Sequence, residues 1–213
     1  MRKKIAFTLC VVIILNIVPL LFKPNLLLHF KTLTLITAAI ILWMSQPSFV
    51  KKEVNADKQT DKLSILFILI ATCISVLSSV IEWAYFTNDP SKFDFTTITG
   101  LIFLVTGISL RIWSIDVLGK NFTATVKVTK EHELIKAGPY KYIRHPSYLG
   151  AFMAIVGCPI FLNNLVTIFV SIMIMIIAYY YRIIFEEKAL IDHFGKFYEE
   201  YKKHTFRLIP LIW

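Results

Sequence analysis

The sequence predicts an all-α fold: a polytopic membrane helical bundle of about six transmembrane helices, with its polar segments gathered on one face. Three observations carry this expectation. Of 213 residues, 56% are hydrophobic and only 17% are charged, with a mean hydropathy of +0.65; soluble domains carry about 25% charged residues. The apolar residues fall in long runs. The net charge of +9 lies almost entirely between those runs. An ordinary soluble globule is excluded, as is a disordered chain, which would be far less apolar. No nucleic-acid partner is needed to explain a positive balance that cytoplasmic loops can hold.

A bilayer core of about 30 Å takes roughly 20 apolar residues as a helix. The candidate spans are Ile5–Phe22, Leu28–Met44, Leu63–Phe86, Phe95–Leu118, Ser147–Leu162 and Leu165–Phe185. The first follows a basic start, Arg2-Lys3-Lys4, but no small-x-small cleavage pattern follows it, so it reads as a retained span. The fifth is the shortest, and Pro159 sits near its end, where a kink costs least. Asn163-Asn164 is the only polar break before the sixth and predicts a tight turn, so the last two spans form a hairpin.

With the N-terminus inside, the N-terminal tail, Ser45–Lys62, Gly119–Pro146 and the tail after Phe185 carry three, four, six and five Lys/Arg, together 18. Only Lys23, Lys31 and Lys92 fall outside. This asymmetry predicts both termini in the cytoplasm. The two largest polar stretches then share one face. Asn121–Lys130 alternates in a strand-like way, and Leu190, Phe194, Phe197, Tyr198 and Tyr201 mark an amphipathic helix interrupted by Gly195. Cys10, Cys73 and Cys158 lie scattered in apolar runs with no metal-ligand spacing, so no metal is expected.

Ionisable residues inside spans are costly and are candidates for function. Arg182 precedes Glu186 by four residues, so the two share a helix face. Arg111 and Asp116 lie near the inner end of the fourth span, where snorkelling to the interface is the expected role, and Glu82 is expected to reach interfacial water. The densest polar cluster runs from Gly138 to Gly150 and contains Tyr140, Tyr142, Arg144, His145, Pro146, Ser147 and Tyr148. Pro146 suits a first helical turn, and the free N–H groups there favour hydrogen-bond-accepting ligands. From residue type alone, an aromatic and basic membrane belt explains this cluster equally well.

Arg144-His145-Pro146-Ser147-Tyr148-Leu149-Gly150, followed by an apolar hairpin and Glu186-Glu187, resembles the RHPxYxG…EE arrangement of the isoprenylcysteine carboxyl methyltransferase family. His132-x-Leu134-Ile135 and Gly138-x-Tyr140 before it, and His193-Phe194-Gly195, Tyr198, Tyr201-Lys202-Lys203 and Ile209-Pro210 after it, extend the likeness over about 90 residues. The resemblance implies a membrane enzyme that takes S-adenosyl-L-methionine in a cytoplasmic cofactor-binding region, with a lipophilic, isoprenylcysteine-like carboxylate as methyl acceptor. It implies a cofactor pocket of His132, Glu133, Leu134, Ile135, Tyr140, His145, Pro146, Ser147, Tyr148 and Glu186, with Glu133 contributing its backbone. Arg182 matches the residue set near the substrate carboxylate, and with Glu186 it forms the expected catalytic pair. Residues 1–118 would then be a four-helix transmembrane region and 119–213 the methyltransferase core. The lipid bilayer and a prenylated or lipid-like substrate are the partners implied, in a prokaryotic cell membrane or the endoplasmic reticulum. An NADPH-dependent sterol-reductase-like enzyme and a small transporter or scaffold are the alternatives. Nothing in the sequence reads out an oligomeric state.

Overall fold

In the computed structural model, residues 2–45, 59–122 and 133–209 are described. Among the described residues, seven α-helices form the frame: α1 (Arg2–Val12), α2 (Phe30–Ser45), α3 (Gln59–Phe86), α4 (Phe95–Leu118), α5 (Pro146–Phe161), α6 (Leu165–Phe194) and α7 (Lys196–Lys203). No strand occurs among the described residues; Ile143 and Phe206 form a lone parallel bridge. The chain is a polytopic membrane bundle. Among the described residues, three helices are long and apolar enough to cross a bilayer, at Leu63–Phe86, Phe95–Asn121 and Leu165–Phe194, and three shorter apolar helices cover Lys4–Leu20, Phe30–Ser45 and Pro146–Phe161. Leu and Ile side chains are exposed along α3, α4 and α6, as lipid-facing surfaces require.

The first run is not one regular helix. After Val12 it passes through a π-turn, Ile13–Ile17, and a 3₁₀ turn with Pro19 in its first positions. The π-turn carries buried Asn16, whose amide donates to the Val12 carbonyl at 3.2 Å. Lys31, counted by charge on the external side, is fully buried at the start of α2. An apolar cavity of about 60 Å³, lined by Asn16, Leu35, Thr72, Leu104, Ile155 and Cys158 among others, lies between α1 and α5; none of the expected site residues lines it.

The closest-packed pair is α4 against α5. A Cβ on Gly107 would meet Ala154 N and Gly150 O at 2.6 Å, and one on Gly150 would meet Arg111 N and Gly107 O at 2.6 Å. A Cβ on Gly100 would overlap the Phe161 backbone. Small residues therefore let two apolar helices touch backbone to backbone, which supplies the van der Waals contact that replaces the hydrophobic effect in lipid. This contact fixes the start of α5 against the inner turns of α4. The short fifth span accordingly packs on α4 more than on its hairpin partner α6.

The α5–α6 turn forms as the Asn-Asn pair predicts. Asn163 takes φ +63°, the left-handed conformation that Asn tolerates. Asn163 Nδ2 donates to Thr97 Oγ1 at 3.0 Å, and Asn164 Nδ2 donates to the Ser79 carbonyl at 2.5 Å. Glu82 does not turn to interfacial water: its Oε2 accepts the Thr167 N–H at 3.0 Å and caps α6 from α3. At its other end α6 runs past Phe185 to Phe194, where Gly195 at φ +53° turns the chain into α7. The amphipathic face expected there is thus divided over two helices, with Tyr198 and Tyr201 buried and Phe197 exposed.

Candidate active site

The approach to α5 is set by Gly138, whose φ of +56° opens a 3₁₀ turn, Gly138–Lys141. Tyr140 in that turn is buried. Its hydroxyl donates to the Ser114 carbonyl of α4 at 3.3 Å, and its own carbonyl accepts the Tyr201 hydroxyl of α7 at 2.6 Å. Burial pushes both phenols up, so each stays protonated and can donate. Residues 142–145 then run beside 206–207: Phe206 N–H donates to the Tyr142 carbonyl at 2.9 Å, Arg144 N–H to the Phe206 carbonyl at 2.9 Å, and His145 N–H to the Arg207 carbonyl at 3.2 Å.

Glu187 locks this pairing from beneath. It is 4% exposed and receives Arg144 Nε at 2.8 Å and Arg207 at 3.1 Å; His145 Nε2 lies 3.4 Å away. Arg144 also donates to the carbonyls of Thr205 and Lys202. A carboxylate buried among several basic groups is a structural clamp, because leaving any of these charges unpaired would be costly.

One residue earlier on the helix, Glu186 faces elsewhere. Its Oε2 accepts the Tyr148 hydroxyl at 2.5 Å. Arg182 Nε lies 3.2 Å from the same hydroxyl, and Arg182 also donates to Ser64 Oγ of α3 at 3.0 Å. The predicted pairing of Arg182 with Glu186 one turn apart is thus made through Tyr148. The Tyr148 ring is stacked between His145, at 5.6 Å, and Tyr179, at 5.2 Å. Tyr148 and Glu186 are half-buried, whereas His145 and Arg182 are buried.

Arg111 corrects the expectation of snorkelling. It is 6% exposed and donates to the Ser147 carbonyl at 2.9 Å. The physical reason is the glycine contact, which brings α4 so close to α5 that the guanidinium reaches the carbonyl without leaving the bundle.

His145, Pro146, Ser147, Tyr148, Arg182 and Glu186 therefore come together, with Tyr140 beside them. Leu134 and Ile135 are half-buried and Glu133 is exposed on the stretch leading to Gly138. Lys136 Nζ lies 5.7 Å over the Tyr201 ring, which sets that stretch against α7. His132, and the strand-like pattern from residue 123 onward, lie outside the described residues. The sequence motif contains Glu187 and Tyr198 but gives them no site role, and Ser64 and Tyr179 carry no signal in it. Glu187 had a signal in its place beside Glu186, since adjacent helix positions point about 100° apart and cannot share a role. Tyr198 is 1% exposed, and its hydroxyl meets no hydrogen-bond partner among the described residues.

Residues 100–192 match the model of the isoprenylcysteine carboxyl methyltransferase family. Similar proteins include the protein-S-isoprenylcysteine O-methyltransferase of Dictyostelium discoideum, 37% identical over 67% of this chain and 60% of that protein. That of Saccharomyces cerevisiae is 36% identical over 54% of this chain and 49% of its own length. Protein-S-isoprenylcysteine O-methyltransferase B of Arabidopsis thaliana is 27% identical over 86% of this chain and 95% of its own. The chain thus spans about half to three-fifths of the length of the first two. A solved structure of a eukaryotic intramembrane Ras methyltransferase, described as isoprenylcysteine carboxyl methyltransferase, superposes with a TM-score of 0.66 at 25% identity, over 98% of this chain and 75% of that one. The segment that builds this site, residues 100–192, is thus similar to the isoprenylcysteine carboxyl methyltransferase family.

Proposed function

We propose that the protein is an integral-membrane methyltransferase that moves a methyl group from S-adenosyl-L-methionine to the carboxylate of an isoprenylcysteine-like lipid. One observation carries the reading: Arg182 and Glu186, a cation and an anion, meet at one phenol, Tyr148, beside the His145-Pro146 helix start. The names of the similar proteins support the reaction class and favour it over a nicotinamide-dependent reductase or a transporter.

The residues present suit such a cofactor. Half-buried Glu186 can accept hydrogen bonds from hydroxyl or ammonium groups, half-buried Leu134 and Ile135 offer apolar contact, and Tyr198 holds a hydroxyl with no described partner. His145, Pro146, Ser147 and Tyr140 are buried and engaged with neighbouring elements, so their part is to shape the wall against which Tyr148 presents its ring. S-adenosyl-L-methionine supplies an activated methyl on a leaving group that departs neutral. The acceptor carboxylate is already ionised at neutral pH, so the protein has no proton to remove. Arg182 binds that carboxylate through its planar fork, exchanging its contact with Tyr148 for the substrate. Alignment and water exclusion supply most of the acceleration, worth roughly 7–11 kcal/mol in favourable cases. The acceptor's tail stays in the lipid or between the spans. Residues 119–213 form the methyltransferase core in this reading, with α3 and α4 lending Ser64 and Arg111 to it. The site and both termini face the cytoplasm of a prokaryotic cell membrane.

The test is incubation of purified protein with methyl-labelled S-adenosyl-L-methionine and an N-acetylated S-prenylcysteine, alongside host lipid extract. Label released by base identifies a methyl ester and supports the reading. A base-stable label on an amine or thiol, or no transfer to any pool, overturns it.

A further inference from the structure

Tyr140, Tyr148, Tyr198 and Tyr201 stand on the start of α5, the turn before it and α7, and three of these four hydroxyls are engaged. Tyr140 donates to the Ser114 carbonyl, Tyr201 to the Tyr140 carbonyl and Tyr148 to Glu186. Tyr198 is the exception: it is the most buried of the four, at 1% exposed, yet its hydroxyl has no hydrogen-bond partner among the described residues. Its position is fixed. Gly195 starts α7, and the Tyr198 ring packs 5.8 Å from that of Tyr201, which is itself tied to the turn before α5. Burial, together with the nearby charges of Glu187 and Glu186, pushes the phenol up. The group is therefore a donor at neutral pH, never a phenolate. A buried donor without an acceptor weakens a fold, so native chains keep few of them, and those kept call for an explanation.

We propose that the Tyr198 hydroxyl is a binding residue for the methyl donor, giving its hydrogen bond to a hydroxyl or carboxylate oxygen of an adenosyl-sulfur compound held against Glu186. The inference rests on the proposed methyltransferase reading. It adds a residue of α7 to the binding surface and gives that short helix a reason to be docked so firmly on the turn before α5. Tyr201, three residues on, is the internal contrast, since its hydroxyl is already engaged within the fold.

The test is thermal unfolding of the full chain in detergent, for wild type, Tyr198→Phe and Tyr201→Phe, with and without S-adenosylhomocysteine, followed by titration of its Kd. Tyr198→Phe is expected to leave the ligand-free Tm unchanged or slightly raised, since it removes an unmatched polar group. It is also expected to weaken S-adenosylhomocysteine about 3- to 10-fold, the range for one lost hydrogen bond. Tyr201→Phe is expected to lower the ligand-free Tm, because it strips the donor from the Tyr140 carbonyl. If wild type is stabilised by the ligand and Tyr198→Phe binds it equally well, the assignment of Tyr198 is overturned while the methyltransferase reading stands. A fallen ligand-free Tm, or failure of Tyr198→Phe to fold, overturns it too, by showing that the hydroxyl holds the fold. If wild type itself gains nothing from the ligand, both readings fall.

Discussion

The two ends of the α5–α6 hairpin are equally rich in polar groups and use them in opposite ways. At the Asn163 end, Asn164 reaches the Ser79 carbonyl, Glu82 the Thr167 N–H and Asp94 the Thr97 N–H. At the His145 end the groups divide. Glu187 is enclosed by Arg144 and Arg207, whereas Glu186 stays half-buried with Tyr148. Polarity alone therefore does not mark a site in a membrane bundle; polarity that the fold leaves available does.

The contrast within the Glu186-Glu187 pair gives the largest expected effects. Glu187→Ala strands buried Arg144, and losing one partner of a buried ion pair costs about 3–5 kcal/mol; thermal unfolding should show a large fall in Tm, and activity should be lost with the fold. Glu186→Gln should keep the wild-type Tm while lowering kcat/KM roughly 10- to 150-fold, the range for losing a hydrogen bond to a charged group. A large fall in Tm for this variant would mean that Glu186 is as structural as its neighbour.

At the opposite end the axes should reverse. Asn164→Ala removes a buried hydrogen bond to the Ser79 carbonyl and should destabilise by about 0.5–1.5 kcal/mol in denaturant. Methyl transfer per folded molecule should be unaltered; a change in kcat/KM would break the division between the two ends. The smallest effect belongs to Asp94, the N-cap of α4. Hydrogen bonds from Lys92 and the Thr97 N–H hold its carboxyl well below the usual range. Its contribution is therefore present above the ordinary carboxylate pKa and is lost as pH falls through the depressed folded value. Asp94→Asn keeps a capping oxygen and should show a slightly shallower loss of Tm on acidification than wild type.

The sequence made much of this legible. The run lengths predict α3, α4 and α6, because lipid demands continuous apolar helices. Asn163-Asn164 predicts the turn, since few residues accept its backbone conformation. The clustering of His145, Tyr148, Arg182 and Glu186 follows from motif order and helical spacing. The remainder depends on which helices touch. Arg111 departs from its expected interfacial place because its distance to Ser147 is set by the Gly107–Gly150 contact, a pairing between helices that periodicity along one chain does not encode. Glu82 leaves its expected interfacial place, and Glu187 takes a clamping role that the motif does not spell out, for the same reason: each finds its partner on another element.

The most direct test of the central claim compares kcat/KM of wild type and Arg182→Ala for an S-prenylcysteine. If Arg182 binds the carboxylate, Arg182→Ala loses at least about 100-fold, as expected when a charge-assisted, two-point contact is removed. Undiminished transfer to the acid by Arg182→Ala would contradict it.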